Sequence, residues 1–350
     1  MVTHHMKEKN RLLVMNNPER RIRIGVIGCS RIAKKSVLSA IKESKNAEIG
    51  IIGSRNIEKS KVYCEEFGCT SWGSYEEVIN DESIDLIYIS LPNSMHEEWT
   101  IKAAEKGKHV WCEKPSTTSY KSAKKMVEAC KDNNVRLFEG FMFRYHPQQK
   151  LVRDMIRNDV LGGLLKFQGI YSFPFPSKES NLMNKDLGGG ALNDSASYPI
   201  YASRMIFCEE PNSIFCRLTM DPVHNVDVNV DILLNYSNDK VAYISSTFGS
   251  YYQCTYSILG SKARLVLNRA FVVPKNMQTS LLIDTNDEIE EITIKPHDHF
   301  LLMIDDFCKE IAKSENKKNH EGDLLSQARV LEGARISHRE QRPVMISEID

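Results

Sequence analysis

The chain has 350 residues, with 46 Lys and Arg against 46 Asp and Glu, so its formal net charge is zero. A nucleic-acid backbone is bound by concentrated positive charge, and no block of basic residues here is long enough to supply it, which excludes nucleic acid as the main partner. No run of about 18 apolar residues exists, and the apolar run within residues 1–20 is too short for a signal peptide, so we expect a cytoplasmic protein that does not engage a membrane.

The nine cysteines are odd in number and scattered along the sequence, and none forms a Cys-x-x-Cys pair. Neither a disulfide framework nor a zinc site is indicated by such spacing. We therefore predict reduced thiols and no metal.

From residue 22 onward, short β-branched runs alternate with amphipathic segments. Strands are predicted at residues 22–28, 47–53, 84–91, 109–112 and 135–138, and a helix is predicted after each of the first four. Strands that are apolar on both faces belong in a parallel sheet covered by helices. After a polar N-terminal extension of residues 1–21, the sequence thus predicts a doubly wound α/β domain over residues 22–142.

The periodicity changes after Pro147. A helix at 148–158 is followed by longer predicted strands, some of them alternating, at residues 164–173, 214–220, 226–236, 241–248, 255–259 and 263–267. Further helices are predicted at 194–205, near 300–311 and at 324–335. Residues 143–350 are therefore expected to form an α+β domain with a large, open, mostly antiparallel sheet.

The turn between the first strand and helix reads Gly28, Cys29, Ser30, Arg31, Ile32 and Ala33. A dinucleotide-binding turn needs a glycine at the tight bend, a small residue facing the pyrophosphate and another where helix meets strand. Gly28 and Ala33 meet the first and last requirements, and Ser30 replaces the usual middle glycine. The turn alone is a weak signal, but its position between strand and helix indicates a dinucleotide site.

The second strand ends in Gly53, Ser54 and Arg55, without the acidic residue that binds the ribose 2′-hydroxyl of NAD. A serine hydroxyl and a guanidinium suit a 2′-phosphate instead. The sequence thus favours NADP(H) over NAD(H), although Arg55 as an ordinary solvated residue remains the alternative.

Two loop motifs carry a family resemblance: Leu91-Pro92-Asn93-Ser94-Met95-His96 and Glu113-Lys114-Pro115. With the glycine turn and the open-sheet second half, they make the chain resemble the glucose–fructose oxidoreductase/inositol dehydrogenase family over most of residues 22–345. The resemblance implies a Rossmann domain that holds the coenzyme. In that family the lysine lies beside the nicotinamide and the proline follows a cis-like turn. It further implies coenzyme contacts from Leu91, Pro92, Asn93, His96, Glu113 and Lys114.

A triple glycine, Gly188–Gly190, precedes Asp194 and Tyr198, where many family members have Asp-x-x-x-His. A tyrosine at this position resembles the branch of the family that contains glucose–fructose oxidoreductase, dihydrodiol dehydrogenase and the nucleotide-sugar 3-ketoreductases. The segments 138–144 and 268–271 look most like the corresponding segments of the 3-ketoreductases. Spacing i, i+4 places both side chains on one helix face.

A ketone reduction needs a proton for the developing alkoxide. We assign Tyr198 as general acid, with its pKa lowered by Lys114, which also polarises the carbonyl, while Asp194 orients Lys114 or a substrate hydroxyl. The ordinary alternatives are that Tyr198 packs in the core, Asp194 caps a helix and Lys114 is a solvated loop charge.

The sequence therefore predicts an NADP(H)-dependent reductase of a nucleotide-linked keto-deoxyhexose. The alternatives are an aldose or trans-dihydrodiol dehydrogenase and a coenzyme-binding regulator without catalysis. Phe143, Arg144 and Tyr145 are predicted to line the substrate site, and Phe143, Arg144 and Lys178 are the candidates to contact the nucleoside diphosphate of a nucleotide-linked substrate. A homodimer or homotetramer is expected from the resemblance.

Overall fold

The computed structural model describes residues 20–312 and 318–350. It contains a six-stranded parallel sheet followed by a nine-stranded, mostly antiparallel sheet, which confirms the predicted fold class. The chain leaves the first sheet at Glu139 and enters the second at Leu164. Apart from Arg20 and Arg21, the N-terminal extension lies outside the described residues.

The first sheet has the strand order β3-β2-β1-β4-β5-β6. Its strands are β1 (Ile22–Ile27), β2 (Ala47–Gly53), β3 (Trp72–Gly73), β4 (Leu86–Ile89), β5 (His109–Cys112) and β6 (Leu137–Glu139). Its helices are α1 (Leu38–Glu43, continuing a π-helical turn Ala33–Val37), α2 (Ile57–Phe67), α3 (Tyr75–Asn80), α4 (His96–Glu105) and α5 (Tyr120–Asp132). The strand order reverses between β1 and β4, and in such sheets ligands bind in the crevice at that switch point.

The second sheet has the order β14-β13-β12-β11-β7-β10-β9-β8-β15, in which only β7 and β10 pair in parallel. Its strands are β7 (Leu164–Ser172), β8 (Ser213–Met220), β9 (Asp227–Asn235), β10 (Val241–Thr247), β11 (Gln253–Gly260), β12 (Ala263–Leu267), β13 (Thr279–Thr285), β14 (Ile289–Ile294) and β15 (Val344–Met345). One face is covered by α6 (Pro147–Arg157), α7 (Ser197–Phe207) and the long C-terminal helix, and α7 comes so close to β7 that a Cβ on Gly169 would lie 2.5 Å from Pro199.

The last two helices, α8 (His299–Ala312) and α9 (His320–Glu340), also pack against the first sheet. Arg136, which precedes β6, forms ion pairs of 2.6 Å with Glu310 and 2.7 Å with Glu321. Leu324 belongs to the core cluster of the first sheet. Although α9 has 21 residues, neither it nor any other helix within the described ranges is apolar enough to cross a membrane.

A disulfide joins Cys64 and Cys69, so the prediction that all cysteines are reduced thiols is wrong. Gly68 ends α2 in the left-handed conformation, with φ of 77°, and this turns the chain back on itself. The two Cα atoms consequently lie 4.8 Å apart, within the range a disulfide requires. The other seven cysteines are free.

Candidate active site

The glycine turn after β1 has the backbone that the sequence predicts. Gly28 has a φ of 103°, and a Cβ there would lie 3.0 Å from the side chain of Leu91. Only glycine fits such a position without strain. The Ser30 hydroxyl accepts a hydrogen bond from the Ala33 N–H at 3.1 Å, so Ser30 caps the following helix while Ile32 packs against the core.

A basic groove of about 580 Å³ opens beside this turn, between the first two helices. The predicted residues Cys29 and Arg31 line it, together with Lys34, Lys35, Ser39, Lys59, Tyr63, Glu66 and Phe67. Lys34 forms a 2.6 Å ion pair with Glu66, which leaves the groove with a surplus of positive charge. The sequence motif did not indicate these lysines, because Lys34 and Lys35 come just after it and Lys59 lies on the following helix.

Ser54 and Arg55 follow β2 at the same edge of the sheet. The Ser54 hydroxyl is buried and accepts a hydrogen bond from the Asn56 N–H at 3.2 Å. Arg55 is exposed, forms no ion pair with any described carboxylate, and lies close enough to Tyr75 to lower its pKa, although burial raises that pKa overall. The guanidinium is therefore available for an anionic ligand.

His96 does not face the crevice, which corrects its assignment as a coenzyme contact. The ring is fully buried, with Nδ1 3.2 Å from the Pro115 carbonyl oxygen and Nε2 2.9 Å from that of Leu91. It thus ties the loop after β4 to the loop after β5. Asn93, by contrast, is half-buried on the surface of its loop and donates to the Gly188 carbonyl at 2.9 Å.

Glu113 and Lys114 follow β5, and the Lys114–Pro115 peptide bond is cis, as the resemblance implies. Glu113 accepts a hydrogen bond from the Tyr88 hydroxyl at 2.8 Å, and burial raises the pKa of the carboxyl group. Its side chain therefore faces the interior, while that of Lys114 crosses to the second domain.

A second buried carboxyl group, that of Glu139 at the end of β6, is hydrogen-bonded to the loop that follows β5. Its Oε1 accepts a hydrogen bond from the Ser116 N–H at 2.8 Å, and its Oε2 is buried without a partner among the described residues. Burial raises the pKa of Glu139 to about 7. A carboxyl group in this setting favours its neutral form.

Replacing Glu139 with glutamine tests this pKa through stability. Between about pH 4.5 and pH 7 the unfolded chain loses the Glu139 proton while the folded protein keeps it, so stability falls as the pH rises through this window and stays lower above it. We expect Glu139→Gln to match the parent protein at pH 5 and to be more stable at pH 8, by about 3 kcal/mol at most. Thermal unfolding at both pH values measures the difference, and an equal difference at both would contradict the raised pKa.

The triple glycine lets the chain bend tightly before a π-helical turn, Leu192–Ala196, that leads into α7. Gly190 has a φ of 107°, and a Cβ there would lie 2.2 Å from the carboxylate of Asp227. That carboxylate accepts a hydrogen bond from the Leu192 N–H at 2.5 Å. Asp227 thus caps the helix that carries the catalytic candidates, a role that no local sequence signal indicated.

Lys114, Asp194 and Tyr198 meet at the seam between the two domains. The Lys114 ammonium donates to the Asp194 carboxylate at 2.9 Å and to its backbone carbonyl at 2.8 Å. It also lies 4.5 Å from the ring centroid of Tyr198. The structure thus brings Lys114 to two side chains that follow it by 80 residues and more, and π-helical turns of this kind occur often at functional sites.

The expected lowering of the Tyr198 pKa by Lys114 is wrong in direction. Burial raises the pKa of Tyr198 well above 10, and the negative charges of Asp194 and Glu113 add to the increase. Lys114 lies over the ring face, whereas the hydroxyl points to the Met142 sulfur at 3.7 Å. Tyr198 is therefore held as a protonated phenol.

The side chains of the three residues predicted to line the substrate site have partners in the interior or on the C-terminal helices. Phe143 is fully buried and packs on Tyr198 with ring centroids 5.9 Å apart, so it supports the site from behind. Arg144 forms an ion pair with Asp323 at 3.3 Å, and Tyr145 packs against Phe307. The local motif could not show that this segment points towards the C-terminal helices. Lys178 is exposed on the loop after β7.

Asp306, Glu310 and His320 lie close enough together to suggest metal ligands. Their carboxylates already pair with cations, however, because Glu310 binds Arg136 at 2.6 Å and Lys318 binds Asp306 at 2.5 Å. The cluster is better explained as the ion-pair network that joins the C-terminal helices to the first domain.

Comparisons with known proteins agree with this geometry. Residues 22–141 match the family described as "Oxidoreductase family, NAD-binding Rossmann fold", and residues 149–266 match the "GFO/IDH/MocA C-terminal domain". The chain is 30% identical over 328 residues to a dTDP-3,4-didehydro-2,6-dideoxy-alpha-D-glucose 3-reductase of Actinomadura kijaniata, which covers 93% of this chain and 99% of the relative. It is 29% identical over 310 residues to a D-xylose 1-dehydrogenase (NADP(+)) of Haloferax volcanii, covering 88% and 94%.

Among solved structures, the fold is similar to KijD10, a 3-ketoreductase from Actinomadura kijaniata in complex with NADP and TDP-benzene. The TM-score is 0.87 at 30% identity, covering 91% of this chain and 98% of that one. An aldose–aldose oxidoreductase from Caulobacter crescentus also has a TM-score of 0.87, at 22% identity, and shares the fold.

Proposed function

Because this chain belongs to the Gfo/Idh/MocA oxidoreductase family, we propose that it uses NADPH to reduce a keto group on a nucleotide-linked deoxyhexose. The observation that carries the proposal is the Lys114–Asp194–Tyr198 arrangement at the seam between the domains. The similarity to a dTDP-sugar 3-reductase over nearly the full length supports the substrate class.

The residues of the first domain fit NADP(H). Gly28 leaves the space of a missing Cβ at the start of a helix, where a pyrophosphate is bound in this fold. Arg31, Arg55 and Lys59 supply the positive charge that a 2′-phosphate requires. Bound NADPH would supply a hydride to the substrate carbonyl carbon.

The chain's own groups would then manage the charge that develops on the carbonyl oxygen. An ammonium has three N–H donors, and Asp194 takes two hydrogen bonds from Lys114, so the third can be donated to that oxygen. The Tyr198 hydroxyl, whose described partner is only the weak acceptor Met142, can turn to deliver the proton. Asp194 fixes the ammonium in place, and the buried aromatic rings around Tyr198 exclude water.

A direct assay separates this proposal from its rivals. NADPH oxidation is measured with a dTDP-linked 3-keto-deoxyhexose, and NADP⁺ reduction is measured with free D-xylose and with a trans-dihydrodiol. We expect kcat/KM for the nucleotide-linked ketone to exceed kcat/KM for D-xylose and for the dihydrodiol. Efficient oxidation of a free sugar or diol, with no reduction of the nucleotide-linked ketone, would contradict the proposal.

The coenzyme preference is tested by Arg55→Ala. Loss of a charge-assisted contact to the 2′-phosphate should raise the KM for NADPH about 10- to 100-fold and leave the KM for NADH unchanged. Lys61→Ala removes a cation from the same region whose ammonium lies 5.9 Å from the ring centroid of Trp72, and serves as the control. An equal loss with both coenzymes would show that Arg55 does not read the 2′-phosphate.

One second candidate has a specific observation behind it: the D-xylose 1-dehydrogenase relative covers 88% of the chain, so oxidation of an aldose by the same three residues is the alternative reaction. A regulator without catalysis is disfavoured, because Lys114, Asp194 and Tyr198 are all present and in contact.

We also propose a cytoplasmic homo-oligomer. Within the part of the chain that the structure describes, one face of the second sheet carries exposed apolar side chains, among them Phe215 and Tyr243, which lie in one row through their shared pairing with Leu233. Such a surface favours association. Seven free cysteines suit a reducing compartment, with the Cys64–Cys69 disulfide as the exception.

A further inference from the structure

A nucleotide-linked substrate brings a diphosphate, and Arg144, the cation first expected to meet it, is already paired with Asp323. Arg269 has no such partner. It follows β12 and is half-buried, and no described carboxylate forms an ion pair with it. Its guanidinium lies 4.5 Å from the ring centroid of Tyr252.

The segment that carries Arg269 is held firmly. Its backbone carbonyl accepts a hydrogen bond from the buried side chain of Gln148 at 2.8 Å. The next residue, Ala270, donates to the Cys254 carbonyl at 2.8 Å and accepts from Gln149 at the same distance. The backbone from which the Arg269 side chain extends therefore has a fixed position.

The same segment reaches the reacting centre. Phe271, only two residues beyond Arg269, is fully buried and packs on Tyr198 with ring centroids 5.8 Å apart. Tyr171 also connects the two places, because its ring centroid lies 5.4 Å from that of Tyr198 and 6.3 Å from that of Tyr252, the ring beside Arg269. Two residues of chain span at most about 7 Å, so the backbone of Arg269 lies within that distance of Phe271, whose ring packs on the proton donor.

We propose that Arg269 binds the diphosphate of a nucleotide-linked substrate and so distinguishes such a substrate from a free sugar. This inference rests on the proposed function. A planar guanidinium binds phosphate oxygens through two parallel N–H donors, and the Arg269 guanidinium is held 4.5 Å from the Tyr252 ring centroid. A free aldose or diol offers no anion to this position.

The test measures dTDP binding by calorimetry with the coenzyme site saturated by NADP⁺, so that dTDP cannot occupy the pyrophosphate site. We expect Arg269→Ala to weaken dTDP binding about 10- to 100-fold and Arg269→Lys, which keeps the charge without the planar fork, to fall in between. Arg264→Ala, an exposed arginine of β12, is the matched control. Unaltered dTDP affinity in both Arg269 variants, or no dTDP binding by the parent protein, would overturn the proposal.

Kinetics separate this inference from the proposed reaction. With a dTDP-linked ketone, Arg269→Ala should raise KM about 10-fold or more with little change in kcat, because the contact is made equally before and during the reaction. If the parent protein binds dTDP through Arg269 but reduces no nucleotide-linked ketone, the reaction is wrong and the diphosphate site stands. If the parent protein reduces the ketone and Arg269→Ala leaves the KM for that ketone unchanged, Arg269 does not bind the diphosphate.

Discussion

Replacing Lys114 with methionine is expected to lower kcat for ketone reduction about 10²- to 10³-fold. The variant keeps a side chain of similar length but removes the N–H donor aimed at the developing alkoxide, and a single donor of this kind is typically worth that factor. The change also leaves the Asp194 carboxylate without its 2.9 Å partner. Steady-state kinetics with NADPH and a dTDP-linked ketone measure the effect.

Lys131→Met is the matched control, because Lys131 is an exposed lysine in the last turn of α5 and belongs to none of the sites described above. NADPH binding, followed by its fluorescence, should change little in either variant. A kcat for Lys114→Met within about three-fold of the parent would remove Lys114 from the chemistry and leave it the role of an interdomain ion pair.

Tyr198→Phe is expected to lower kcat about 10²-fold, at the lower end of what a general acid contributes. The raised pKa keeps the phenol protonated at neutral pH, but it also makes the proton harder to transfer, which is why the expected loss is not larger. Because the hydroxyl contacts only the Met142 sulfur among the described residues, its removal should not alter folding stability.

The control for this variant is Tyr201→Phe, which removes a phenol hydroxyl from the same helix at a position bonded to Asp323. Its kcat should stay near that of the parent protein. If Tyr198→Phe also keeps full turnover, the proton comes from the Lys114 ammonium, and Tyr198 serves only to pack beneath it.

The fold was largely predictable because its strands carry strong local signals. Runs such as Ile22–Ile27 are apolar on both faces, and the alternation in Asp227–Asn235 marks a strand with one solvated face. Thr279–Thr285, Ile289–Ile294 and the two-residue strands Trp72–Gly73 and Val344–Met345 were missed. The first two alternate weakly or carry acidic residues, and the last two are too short to have a period.

The site was predictable only where a motif marks it. Lys114, Asp194 and Tyr198 were found through a family pattern, and the structure brings them into contact. Glu139 and Asp227 act through partners that lie 23 and 35 residues away in the sequence, and no local pattern indicates such contacts. Arg269 is singled out because no described carboxylate pairs with it, which the sequence cannot show. The pKa of Tyr198 was misjudged because sequence order cannot show whether a lysine lies at a phenol's oxygen or over its ring.

The return of α8 and α9 to the first domain has a consequence for how the protein is made. The coenzyme-binding half is synthesised first, yet Arg136 finds Glu310 and Glu321 only after some 170 further residues have followed. Until then, the surface that Leu324 later covers stays exposed to water. The amino-terminal half therefore completes its packing only after the C-terminal helices have been synthesised. The protein is therefore not a pair of interchangeable modules: a truncated or recombined gene that lacks the final helices would also lose the integrity of the nucleotide-binding half.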